Sequence, residues 1–482
     1  MTLDDRPDAA EAAPQRTRPT GPWSLLRPLV LRIHFWAGLL VGPFLLVAAL
    51  TGLAYTLTPS LVPTIYDHEL TAPTSSAQVP LAEQIRAGQE AVPGAPLRAV
   101  RPPATPADTT QVIFDPASLP ESTYRTAFVD PHTGALRGVL DTYGGGQAMP
   151  LQGWVDQLHR DLHLGDPGRL YTELAASWLW VLVLGGLTLW AGLAWRRRRA
   201  RALLVPRVRG GRRARLLSWH AVVGLWAAVG LLFLSATGLT WSTYAGDNIT
   251  SLRSALSWST PAPSTALPPA AVAPGAPTWT PDGFGTAAAV ADRVGLVGPV
   301  EITPGEAPGQ AYSVSQIRKE YPQRLDAIAV DPSTARVTDT VRFADWPLPA
   351  KLARWGIDAH MGVLFGLANQ ILLATLAAGL ACMVVWGHVL WWRRGPGQRA
   401  GMVPPGGALR ALPRPWLVGV LVVTLAVGVA LPLLGASLVV FLLAETLLDS
   451  RIRGVPPGPD AEAAPCCAPV PEGRSDEPTR TG

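Results

Sequence analysis

Four of the eight histidines in this 482-residue chain, His34, His159, His220 and His360, stand at repeated spacings. Imidazole is the side chain that ligates transition metals as a neutral group and titrates near neutrality. The stretch from Arg32-Ile33-His34 to Thr51-Gly52 matches that from Ser218-Trp219-His220 to Thr237-Gly238 at a constant offset of 186 residues. Farther along, Val129-Asp130-Pro131, Trp154, His159 and Gly165 match Val330-Asp331-Pro332, Trp355, His360 and Gly366 at an offset of 201. Self-similarity in fixed register marks an internal duplication.

A duplicated bundle related by a twofold-like axis brings equivalent residues toward each other, so His34 with His220, and His159 with His360, make two layers of paired imidazoles. That arrangement suits six-coordinate haem iron held between helices, one or two haems b in all. Arg32, Arg160 and Arg169 are placed to face haem propionates. No CxxCH occurs, which excludes covalent haem attachment. His163 lies four residues after His159 and shares its face if residues 153–165 are helical, making it an alternative or additional ligand. His388, near the inner end of the fourth span, is a further inner-layer candidate. A single interfacial histidine beside Trp and Arg anchors a helix end, but two copies in register favour ligation. His68 and His132 read as exposed loop residues. On one continuous helix His360 and His388 would be roughly 42 Å apart, so the layers are expected to be distant, with Trp178, Trp180, Trp226 and Trp386 between them.

The elements that position these residues follow from composition. Only 16% of the chain is charged, its mean hydropathy is +0.21, and an ordinary soluble enzyme is excluded. After a leader over 1–27, apolar runs long enough to span a bilayer cover 28–57, 174–195, 216–243, 364–392 and 416–448. The first is too long for a signal-peptide core and reads as a retained anchor. Residues 196–215 carry ten Arg and no acid, and 393–415 are likewise basic. Basic runs directly following spans read as cytoplasmic flanks rather than nucleic-acid sites. The long loops 58–170 and 244–360 then face outward, and their short β-like runs closed by turns predict small α+β modules. In 416–448, Pro432 and Gly435 either kink one helix or close a hairpin of two. The tail 449–482 reads as disordered, and its Cys466-Cys467 pair makes no zinc or disulfide framework. The expected fold is a membrane α-helical bundle of two parallel repeats (span, outer module, span), with one or two extra C-terminal spans.

Leu158-His159-Arg160, Leu162 through Arg169, Glu173 through Trp178, Asp358-Ala359-His360-Met361-Gly362, Gly366 through Gln370 and Trp391-Trp392-Arg393-Arg394 together resemble the PepSY-associated transmembrane family, often described as iron-regulated membrane proteins. The resemblance covers residues 28–395 and likens both outer modules to PepSY domains. Some relatives are ferric-siderophore reductases that bind haem through membrane histidines. Residue by residue, the resemblance points to His34, His159, His220 and His360, and to His163 and His388 by weaker matches.

Two functions follow as expectations. One is a multi-pass b-type cytochrome of the bacterial cytoplasmic membrane that reduces a ferric chelate or siderophore. With no GxGxxG and no P-loop, its electron donor is a quinol, a soluble reductase or another subunit. The other is a non-enzymatic, membrane-anchored PepSY module that binds a peptidase or envelope partner. A transporter ranks last, since no acidic residue lies at mid-span; Asn369 and Gln370 read as helix–helix hydrogen-bonding groups.

Overall fold

The computed structural model describes residues 22–197, 203–268, 277–393, 408–409 and 412–453. In chain order the helices and strands are α1 (Pro22–Leu40), α2 (Gly42–Tyr55), α3 (Thr58–Ile65), α4 (Asp67–Leu70), α5 (Leu81–Ala91), β1 (Leu97–Arg101), β2 (Thr110–Phe114), β3 (Thr123–Val129) and β4 (Leu136–Tyr143), then α6 (Pro150–Asp161), α7 (Asp166–Arg197), α8 (Arg212–Gly238), α9 (Tyr244–Ala255) and α10 (Pro281–Arg293). They continue with β5 (Val300–Thr303), β6 (Tyr312–Gln316), β7 (Ala327–Asp331), β8 (Arg336–Val341), α11 (Leu348–His360), α12 (Gly366–Trp392), α13 (Arg414–Ala430) and α14 (Pro432–Arg453).

Three helical stretches, Asp166–Trp195, Arg212–Trp241 and Gly366–Trp392, are long and apolar enough to cross a membrane. The first expected span is a bent pair, α1 and α2, with a 58° break at Val41. Pro43 opens the new helix; lacking an N–H, it cannot continue the hydrogen-bond ladder of α1, and its ring crowds the preceding turn. α7 packs along α1 and α8, and α12 along α2 and α8. Their shared core contains Ala37, Val41, Leu45, Ala175, Trp178, Ala227, Leu231 and Met383. Small residues there let the helix backbones close on one another.

The α13–α14 segment is a hairpin, which resolves the alternatives left open at Pro432 and Gly435. A Cβ on Gly435 would lie 2.1 Å from the Gly428 Cα, so only glycine lets the two backbones cross there. Leu412 and Leu442 pack with Leu29 of α1, and Trp178 Nε1 donates to Ser437 Oγ at 2.8 Å. At the hairpin tip Asn248 Nδ2 donates to the Val429 and Ala430 carbonyls, which the end of α13 leaves without helical partners. Cys466, Cys467, the end of the tail and residues 198–202 lie outside the described residues.

The two expected α+β modules are halves of one antiparallel sheet, in the order β4-β3-β2-β1-β5-β6-β7-β8. The seam pairs Val100 with Ile302. Period-two alternation puts Val100, Val112, Phe114, Ile302 and Val314 on one face, under α5 and α10, in a single core with Ile85, Phe284 and Val290. The other face turns Arg101 and Glu301 into an ion pair. Two amphipathic helices bring the chain back to the bundle: α6 packs against α2, α7 and β4, while α11 packs against α8.

Candidate cofactor site between paired histidines

His34 projects from α1 and His220 from α8, and their ring centroids are 6.3 Å apart with planes at 81°. His34 Nδ1 lies 3.0 Å from the Leu182 carbonyl of α7, and His220 Nδ1 lies 3.1 Å from the Met383 carbonyl of α12. A carbonyl only accepts, so each Nδ1 carries the proton and each Nε2 keeps its lone pair. The donor residues are 186 apart and the acceptors 201 apart, the two offsets read from the sequence. α7 comes close because residue 186 is glycine: a Cβ there would lie 3.3 Å from His34 Cε1.

His159, on α6, and His360, on α11, form the second layer, on the sheet side. His159 Nδ1 is 2.9 Å from Thr51 Oγ1, and His360 Nδ1 is 2.7 Å from Thr237 Oγ1. Both hydroxyls donate one turn back along their helices, Thr51 to the Val47 carbonyl and Thr237 to the Phe233 carbonyl. With its proton committed, each oxygen accepts from the imidazole N–H, and Nε2 is again the lone-pair nitrogen. Glycines back these rings too, since a Cβ would lie 3.1 Å from His159 Cε1 at Gly52 and 3.4 Å from His360 Cε1 at Gly238. Burial lowers the pKa of His159. Burial, then the charge of His159, pushes His360 down to about 3. Both rings are therefore neutral, ligand-competent imidazoles at physiological pH.

The distance between layers is set by α8 rather than by a continuous helix through His360 and His388. Residues 361–365 interrupt α11 and α12, so the 42 Å expectation does not apply. His220 and Thr237 stand seventeen residues apart on the unbroken α8, about 25 Å at the helical rise, within the roughly 30 Å hydrocarbon thickness of a bilayer. Of the tryptophans expected between the layers, Trp178 is buried in the core, whereas Trp226 is 69% exposed and faces outward.

The other histidines separate. Helix α6 ends at Asp161, and Leu162 and His163 take left-handed backbone angles. The helical condition for His163 is thus not met; it is exposed and packs on Trp154, with centroids 4.9 Å apart. His388 bonds back to the Val384 carbonyl at 2.9 Å and lies against Gly42 at the α1–α2 break, outside both histidine pairs. His68 is exposed, in α4. His132 is buried rather than exposed: its Nδ1 and Nε2 both face carbonyls, of Ala77 and Pro106, at 2.8 Å. Both nitrogens must donate, so His132 is a structural imidazolium.

The fit to haem rests on these contacts. His34 and His220, with ring centroids 6.3 Å apart and Nε2 of each left without a proton, would be the residues to hold a haem iron here. Arg160 and Arg169 each keep a buried Nε–H without a hydrogen-bond partner beside the sheet-side pair. Arg169 also donates to the carbonyl of Trp241, whose ring packs on His360. These are the donors an anionic propionate requires. Arg32 is buried two residues before His34. Among the described residues no three His, Cys, Asp or Glu side chains converge on a metal-sized site. The backbone carbonyls, the threonine acceptors and the glycine backing were not read from sequence, although Thr51-Gly52 and Thr237-Gly238 stood inside the repeated motif.

Apolar helices long enough to span a bilayer, joined to a single antiparallel sheet, define a membrane protein. The model of the PepSY-associated TM region matches residues 31–394, and the chain belongs to that family. No curated protein matches it.

Proposed function

We propose that this protein is a transmembrane b-type cytochrome that conducts electrons across the bacterial cytoplasmic membrane to a ferric chelate or siderophore. The observation that carries the reading is the four imidazoles in two layers, each with Nδ1 tied to an acceptor and Nε2 left as a ligand. His34 and His220 would hold one haem, His159 and His360 the other. When bound, haem supplies a reversible one-electron couple. The chain fixes the tautomer of each ligand, closes the helices around it with glycine, and offers Arg160 and Arg169 to the propionates. The fold is read as two parallel copies of span, outer module and span, which the paired offsets of ligands and acceptors support. The basic segments after α7 and α12 would face the cytoplasm and the sheet the outside. The donor would be a quinol or a reductase meeting the basic side. The protein reduced with dithionite and mixed anaerobically with a ferric chelate should reoxidise as Fe(II) appears. Haem that stays reduced in excess chelate would contradict the acceptor assignment, and absence of haem would favour the peptidase- or partner-binding PepSY anchor.

A further inference from the structure

Between α7 and α8 the chain folds back onto the bundle instead of looping away from it. Residues 203–209, Leu-Leu-Val-Pro-Arg-Val-Arg, form a strap against both helices. Trp190 Nε1 of α7 donates to the Leu203 carbonyl at 3.4 Å, and Trp226 Nε1 of α8 donates to the Leu204 carbonyl at 3.1 Å. The Arg207 N–H donates to Ser218 Oγ at 3.0 Å. Ser218 and Trp226 lie about 9 and 21 Å along α8 from Arg212 at the helical rise, inside the stretch Arg212–Trp241 that is apolar enough to span a bilayer. Backbone polar groups laid against such a span need partners within the protein. Two indoles and one hydroxyl supply them, and Pro206 has no N–H to satisfy.

The outer surface of the strap interleaves apolar and cationic side chains. Val205 and Val208 are 67% and 72% exposed, with Arg207 and Arg209 exposed beside them. Arg212, Arg213 and Arg215, at the start of α8, are exposed as well. Residues 203–243 contain no Asp or Glu, and among the described residues no carboxylate forms an ion pair with any of these five arginines. Five cations beside an exposed apolar strap call for an anion that brings its own apolar surface. A soluble anion would answer the arginines and leave Val205 and Val208 uncovered, whereas a phospholipid covers both with one molecule.

We infer that the strap and the start of α8 form a binding surface for anionic phospholipid of the leaflet on the basic side. The phosphate sits on Arg207 and Arg209, and the acyl chains lie along Val205 and Val208. Ser218, which ties the strap to α8, stands two residues before His220, so the lipid is held beside the basic-side pair. The inference does not depend on haem or on electron transfer.

The full-length protein in nonionic detergent is titrated with dioleoyl phosphatidylglycerol and with dioleoyl phosphatidylcholine, which share their chains, and bound lipid is counted by native mass spectrometry. The expected result is binding of phosphatidylglycerol tighter by at least about tenfold, because each arginine near an anionic lipid surface is worth about fivefold. The preference should fall below about threefold in the double variant Arg207→Gln, Arg209→Gln and persist when both are changed to lysine. Equal affinities for the two lipids in the unsubstituted protein would overturn the site. A double-glutamine protein that melts at the native temperature and keeps the full preference would overturn the role of the strap. Displacement of phosphatidylglycerol by an equal concentration of glycerol phosphate, the headgroup chemistry without chains, would make the occupant a soluble anion and overturn the lipid assignment.

Discussion

His34 and His220 face each other across the bundle, ring centroids 6.3 Å apart, each held by a backbone carbonyl of the neighbouring helix. The pair joins α1 and α7 to α8 and α12, so each half of the chain supplies one ligand and one acceptor. Removing either imidazole leaves a single ligand on that side. His34→Ala and His220→Ala should each lose the basic-side haem and keep the sheet-side one, halving haem per chain in a pyridine haemochrome assay. Unchanged haem content in both would show that this pair is not the ligand set.

Thr51 and Thr237 orient the sheet-side ligands through Nδ1. Valine keeps the shape of threonine and removes the acceptor. Thr51→Val or Thr237→Val should weaken haem retention at this layer by about 10–100-fold, the usual effect of losing such a partner. Titration of haem into the stripped protein measures it, and native affinity in both variants would mean the hydroxyls do not set the tautomer.

His132 gives a pH dependence unrelated to haem. The Pro106 carbonyl, then that of Ala77, raise its pKa above the ordinary value, and Asp130 adds to this. A group whose folded pKa is raised contributes its stability in full below the unfolded value of about 6.5 and loses it as pH rises through the folded value. The melting temperature should therefore fall as pH rises above the unfolded value of about 6.5, and the His132→Ala protein should lose that slope. An identical slope in the variant would assign it elsewhere.

Ile302 sits at the seam of the sheet and in the core shared by α5 and α10. Ile302→Ala should cost about 2–5 kcal/mol. Because the core is common, both halves should unfold in one denaturant transition. Two separated transitions would mean that the halves fold as independent modules.

Much of this was legible in the sequence. Hydropathy located the apolar helices, and the two repeat offsets singled out His34 with His220 and His159 with His360. The sheet seam was not, because Val100 and Ile302 are separated by some two hundred residues and edge pairing leaves no local pattern. His163 misled because a helical face was extended past Leu162, where the chain turns left-handed. His132 misled because a turn position says nothing of carbonyls arriving from Ala77 and Pro106. The 42 Å estimate assumed that α11 and α12 were one helix.

The central claim is tested most directly by a reduced-minus-oxidised visible spectrum and haem count on the detergent-purified protein from haem-replete cells. The account predicts a b-type spectrum with two haems per chain. A protein that is folded, monodisperse and free of haem would contradict it, and the four imidazoles would then be hydrogen-bonded helix anchors.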